Sequence, residues 1–180
     1  GETGIVSAGV ALGVANQVNG GGGTAIGSNN QAVASFYTVA IGQGNKANGG
    51  YAAAIGIGNL SSGTSAVAIG TANQSTGDTA ISMGRQSYAT GDFSIAMGNI
   101  ATASGANAIA LGNTAGAISN NSIALGANAD AGRSGGVADV NAIAIGQDTK
   151  AYAYSIALGT GANADNSGYL RTDGGIAIGN

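Results

Sequence analysis

Along this chain, apolar and small residues alternate in a short phrase that closes on glycine: bulky, alanine, bulky, glycine. The closing glycines are Gly13, Gly27, Gly42, Gly56, Gly70, Gly84, Gly98, Gly112, Gly126, Gly146, Gly159 and Gly179, mostly 14 residues apart. Counted back from each glycine, position −2 is alanine in every repeat but one, where Ser82 stands. Positions −3 and −1 are mostly large and aliphatic, as in Val67 and Ile69 or Ile109 and Leu111, and position −4 is small. A strand sends successive side chains to opposite faces. One face therefore carries the bulky pair and the other only alanine, serine or glycine. Neither face is polar, so this strand is expected to be covered on both sides.

A second alternation follows each glycine. Position +5 is small (Ala32, Ala47, Ser61, Ser75, Ala89, Ala103), while +4 and +6 are polar and variable. That pattern predicts a half-buried strand with one wet face. Position +3 is asparagine from Asn16 to Asn73 and then drifts to serine and alanine; a ladder of stacked asparagines is the expected reason. Another glycine at +7, as in Gly49, Gly63 and Gly77, marks the return turn, where a positive φ is expected.

A fixed short period means a solenoid, each repeat one coil stacked on the last. The expected fold class is all-β: a flattened parallel β-roll of about twelve coils, ~4.8 Å apart, forming one domain over residues 1–180. In this reading the aliphatic pairs of one strand and the small residues of the other fill the thin interior. The alanine face then has nothing within the coil to cover it, and an uncovered apolar strip predicts a partner surface. Ala40, Ala54, Ala68, Ala96, Ala110, Ala124, Ala144 and Ala157 are the expected seam between identical chains.

Composition narrows the function. The chain has no histidine and no cysteine, which removes the usual general base, the thiolate nucleophile and the commonest transition-metal ligands. Its eight acidic residues are mostly isolated, and its Gly-x-Gly runs, such as Gly56-Ile57-Gly58, precede no helical pattern, so a phosphate loop is not expected. Five basic residues do not make the stripe that nucleic acid requires. No enzyme activity, cofactor, metal or nucleic-acid partner is expected.

The phrases TVAIG (38–42), AVAIG (66–70), NAIALG (107–112), NSIALG (121–126), NAIAIG (141–146) and YSIALG (154–159), followed by small residues at +5, closely resemble the head repeats of trimeric autotransporter adhesins, the YadA-like heads of Gram-negative bacteria. The resemblance covers essentially the whole chain from about Val10. It implies a left-handed roll, a homotrimer, and a head carried on a stalk and anchored in the outer membrane at the cell surface. It further implies binding to host extracellular-matrix proteins such as collagen, fibronectin or laminin, with autoagglutination. The neck, stalk and anchor of that family do not occur in this sequence, which reads as a head fragment.

Two intervals, Gly126 to Gly146 and Gly159 to Gly179, carry six-residue insertions, within 129–141 and 164–175. Six charged residues lie there: Asp130, Arg133, Asp139, Asp165, Arg171 and Asp173. Loops of this kind either recognise ligands or clasp a neighbouring subunit. The candidate ligand-binding residues are Lys46, Arg85, Tyr88, Arg133, Lys150, Tyr152, Tyr169 and Arg171, on the exposed strand face and in the loops. A structural spacer or fibre segment, in a trimeric surface or phage-tail protein, is the rival reading.

Overall fold

A computed structural model describes residues 9–19, 21–34, 36–132, 141–152, 154–164 and 174–179. The fold is an all-β parallel solenoid, with no helix among the described residues. Each coil supplies one longer strand to a twelve-stranded first sheet and one two-residue strand to an eleven-stranded second sheet. All neighbours in both sheets are parallel and follow chain order. Register is kept by residue type: Ala54 pairs with Ala68, Ile55 with Ile69 and Gly56 with Gly70. The ladder also holds on either side of both insertions, where Ile123 pairs with Ile143 and Ile156 with Ile176. The register is therefore the same on both sides of each insertion.

The interior reverses the sequence expectation. Ala40, Ala54, Ala68, Ala96, Ala110, Ala124, Ala144 and Ala157 are all 0% exposed within their own chain. They meet the small +5 residues of the second sheet, Ala47, Ala89, Ala103, Ala117 and Ala131 among them, in a core made of alanine. The alanines are not an outer seam. Instead the bulky −3 and −1 residues, such as Val67, Ile69, Ile109 and Leu111, point away from the coil and stay half-exposed. The physical reason is thickness. Sheets that enclose large aliphatic side chains pack about 10 Å apart, whereas a 14-residue coil closes with room only for methyl groups, hydroxyls and amides. Ser82, the one departure from alanine, fits because its hydroxyl lies 2.7 Å from that of Ser75 across the interior.

The largest fully buried side chains are polar: Asn30, Asn45, Asn59 and Asn73. They form the ladder anticipated from the +3 column. The Asn59 amide nitrogen donates to Asn45 Oδ1 at 2.9 Å, to the Ile55 carbonyl at 3.0 Å and to the Gly70 carbonyl at 2.8 Å. Its own Oδ1 accepts both nitrogens of Asn73 at 3.0 Å. Each side chain thus satisfies the backbone at the end of the strand while stacking on its own kind. Ser87 ends the series by donating the last link, from its backbone N–H to Asn73 Oδ1.

Where the column becomes alanine the Gly112 N–H donates to the Met97 carbonyl and the Gly126 N–H to the Leu111 carbonyl. First-sheet strands shorten from five residues in Ile95–Asn99 to three in Ile109–Leu111. Asparagine does not set that length, because Ile81–Arg85 and Ile95–Asn99 keep five residues with Ser87 and Ala101 at +3.

From Gly13 to Gly159 the closing glycines have φ between 97° and 149°, and a Cβ on Gly56 would overlap the carbonyl oxygen of Gly70 in the next coil. The +7 glycines need glycine for a different reason from the one expected. Gly49, Gly63, Gly77, Gly91 and Gly105 do not adopt the left-handed region; a Cβ there would strike the backbone of the coil below. Close stacking, not a positive φ, selects them.

Two substitutions test this interior. Asn59→Ala is expected to lower stability by about 2–4 kcal/mol, because it orphans buried partners on both sides of the ladder; urea unfolding measures it. Thr38 has a buried hydroxyl with no hydrogen-bond partner. Thr38→Val keeps the volume and removes the orphan, so the same assay should show a gain of about 1 kcal/mol.

Candidate binding surfaces

Each coil presents two faces and two edges. The outward face of the first sheet is an aliphatic strip running coil by coil through Val39 and Ile41, Val67 and Ile69, Ile95 and Met97, Ile123 and Leu125, and Ile156 and Leu158. These side chains stack on one another in register along the whole sheet. At the strip's rim the +1 residues are more polar. Arg85 donates from Nη1 to Asn99 Oδ1 at 3.4 Å, and the Asn99 amide donates to Asn113 Oδ1 at 2.8 Å.

The second sheet is the wet face that the sequence predicted. Its +5 residues are buried, and its +4 and +6 side chains point to solvent or lie half-buried. Lys46, Tyr88 and Lys150 all occupy the +4 column. They do not meet. Leu60 and Gln74 separate Lys46 from Tyr88, and Thr102, Gly116 and Asp130 separate Tyr88 from Lys150. Three ladder steps are about 14 Å, beyond the reach of two side chains on one small ligand. Tyr152 is half-buried beside Lys150, on the same face. Arg85 belongs to the opposite face. Arg133, Tyr169 and Arg171 lie outside the described residues, as does most of both insertions.

One charged group on this face has a perturbed environment. Asp130 lies between Gly116 and Lys150 in the ladder. Its Oδ1 and Ile118 Cδ1 each lie 3.7 Å from the place a Gly116 side chain would begin, so both lean into the notch that glycine leaves. Burial there pushes the Asp130 carboxyl above its ordinary value, against the opposing pull of Lys150. No group of three metal-ligating residues occurs among the described residues.

Sequence reasoning did not single out the cluster at one edge. Phe36 stacks on Tyr51 with ring centroids 5.5 Å apart, and Tyr37 tilts toward the same ring at 6.3 Å. All three are more than half exposed. Tyr37 and Tyr51 stand out in the sequence as rare tyrosines. Phe36 gives no signal there, because its partner is a full coil away.

The phrase that carries the fold also carries the family. The YadA head domain repeat matches residues 36–59, 61–87, 75–101, 103–129 and 140–162. The chain belongs to the YadA head family. None of the curated proteins compared with it matches. The YadA repeat is an adhesin-type structural unit rather than an enzyme family, and its glycines and alanines are the stacking and core residues described above.

The Asp130 environment gives a pH test. An acid whose folded value is raised binds its proton more tightly when folded, so stability falls as pH rises from the ordinary carboxylate range through the raised value. Asp130→Asn should flatten that part of the curve and leave the chain more stable than the parent at neutral pH. Thermal melts across pH 3–7 in ~1 pH-unit steps read the difference directly.

Proposed function

We propose that this chain is a non-enzymatic adhesin head that works as a homotrimer, its first sheets facing a common axis. The observation that supports the reading is the aliphatic strip of the first sheet. A YadA-like head whose interior holds only small residues and asparagine leaves its isoleucines, valines and leucines half-exposed to water. Covering one such half-exposed side chain contributes on the order of 1 kcal/mol, and the strip repeats the gain in every coil. In this arrangement the roll is left-handed, as in the family, and the head projects from the outer surface of a Gram-negative bacterium on a membrane-anchored stalk.

The second sheets then face outward. Among the described residues their side chains change from coil to coil, so recognition proceeds by many weak contacts. Three copies of one polar face multiply those contacts, and avidity raises binding by about two to four orders of magnitude without a single strong site. Host extracellular-matrix proteins such as collagen, fibronectin or laminin, themselves long and repetitive, suit such a surface, and head-to-head contacts account for autoagglutination. The scatter of Lys46, Tyr88 and Lys150 also favours a second reading, a trimeric spacer whose binding function lies elsewhere.

Light scattering should give a mass near three times 16.9 kDa that resists dilution. Ile123→Lys, which places a charge in the strip without touching the interior, should shift that mass toward a single chain. Immobilised collagen, fibronectin and laminin should retain the parent at least tenfold better than the variant. An unchanged mass in the variant would remove the first sheet as the seam; a trimer that binds none of the three would favour the spacer.

A further inference from the structure

The two edges of the first sheet carry matched residues, coil by coil, although no side chain can span from one to the other. One edge holds the −5 residue, just before the strand. The other holds the +1 and +2 residues, just after it. The +2 column is left-handed backbone, and so is the −5 column from Tyr51 to Tyr154.

Three coils have glycine at +2: Gly44, Gly58 and Gly161. The same three coils have tyrosine at −5: Tyr37, Tyr51 and Tyr154. Nothing inside the chain requires those glycines. A Cβ on any of them would meet nothing within 4 Å. Nor does the backbone require them, because Ala15, Asn29, Ala72, Gln86, Ile100, Thr114, Asn128 and Asp148 occupy that column with φ of 52–59°. The tyrosines, each about half exposed or more, have nothing at their own edge that explains the coincidence.

Other coils match in kind. Phe93 at −5 is 60% exposed and shares its coil with Ile100 at +2, itself 43% exposed. Asn121 shares a coil with Asn128, and Asn141 with Asp148. Large faces small, apolar faces apolar, and polar faces polar.

Cyclic symmetry explains the correlation. In a ring of identical rolls with their first sheets inward, the first edge of each copy abuts the second edge of the next, a heterologous contact that rotation alone generates. Pure rotation keeps every coil at its own height. Building on the trimer proposed above, we infer that neighbouring copies dock edge to edge in same-coil register. Tyr51 of one copy covers Gly58 of the next, and Phe93 meets Ile100. The edges are then the register device, and the second copy is the partner they were selected to fit.

Because the chain has no cysteine, engineered disulfides test this on a clean background. Within one chain Phe93 and Ile100 flank the five-residue strand Ile95–Asn99 and lie more than ~15 Å apart, too far for an internal bridge. The double variant Phe93→Cys/Ile100→Cys should run as a covalent trimer on a non-reducing gel after mild oxidation. Each single variant should remain a single chain, and the shifted pair Tyr51→Cys/Ile100→Cys should not cross-link. A second test avoids cysteine. Gly58→Gln, which places in that column the residue Gln86 already supplies one coil pair later, should weaken assembly at least tenfold, with Tyr51→Ser restoring it. A trimer by light scattering that fails to cross-link at matched levels, or cross-links at shifted ones, overturns the register and leaves the trimer standing. A chain that scatters as a monomer overturns the trimer itself.

Discussion

The thickness of the coil governs this molecule. Fourteen residues make two short strands and two turns, and the space they close is too thin for a branched side chain. Alanine, serine and the flat amide of asparagine are what fit. The consequence runs against the usual order of a globular protein, where burial of large apolar groups supplies most of the driving force. Here the ladders of backbone hydrogen bonds and the stacked amides hold the coil, and the large apolar groups remain outside. Folding and association thus use different residues. The interior specifies the coil, while the outward face of the first sheet specifies what covers it.

The asparagine column shows how one buried side chain can serve two coils at once. From Asn16 to Asn73 each amide serves a strand-end carbonyl in its own coil and the closing-glycine carbonyl of the next. Beyond Asn73 the column passes through Ser87 to alanine, and the first-sheet strands stay five residues long as far as Ile95–Asn99. Ser87 stands at the boundary, its hydroxyl still donating to the Gly98 carbonyl at 3.0 Å.

The solenoid, its parallel order, the placement of strands and the asparagine ladder were all legible in the sequence, because each is a periodic property and the period is plain. The direction of the first strand was not. Alternation says that Ala54 and Ile55 face opposite ways; it cannot say which way is inward, and that depends on coil thickness, a property of the closed turn rather than of the strand. The +7 glycines were misread for a related reason. Gly63 is excluded from bearing a side chain by Gly77 in the next coil, a contact invisible to local turn preferences. Of the candidate ligand residues, Lys46, Tyr88 and Lys150 share the second-sheet face that the alternation predicts, while their spacing along the stack, set by the intervening coils, keeps them apart.

In-register stacking also sets how the rod bears load. Hydrogen bonds between successive coils run along the rod axis, so a pull on one end acts along the bonds of a single rung rather than across many at once. Coils then yield in turn, each releasing 14 residues of slack before the next is strained. A filament built this way dissipates a tug by paying out chain, and since every rung repeats its neighbour, rewinding needs no contact from a distant part of the sequence.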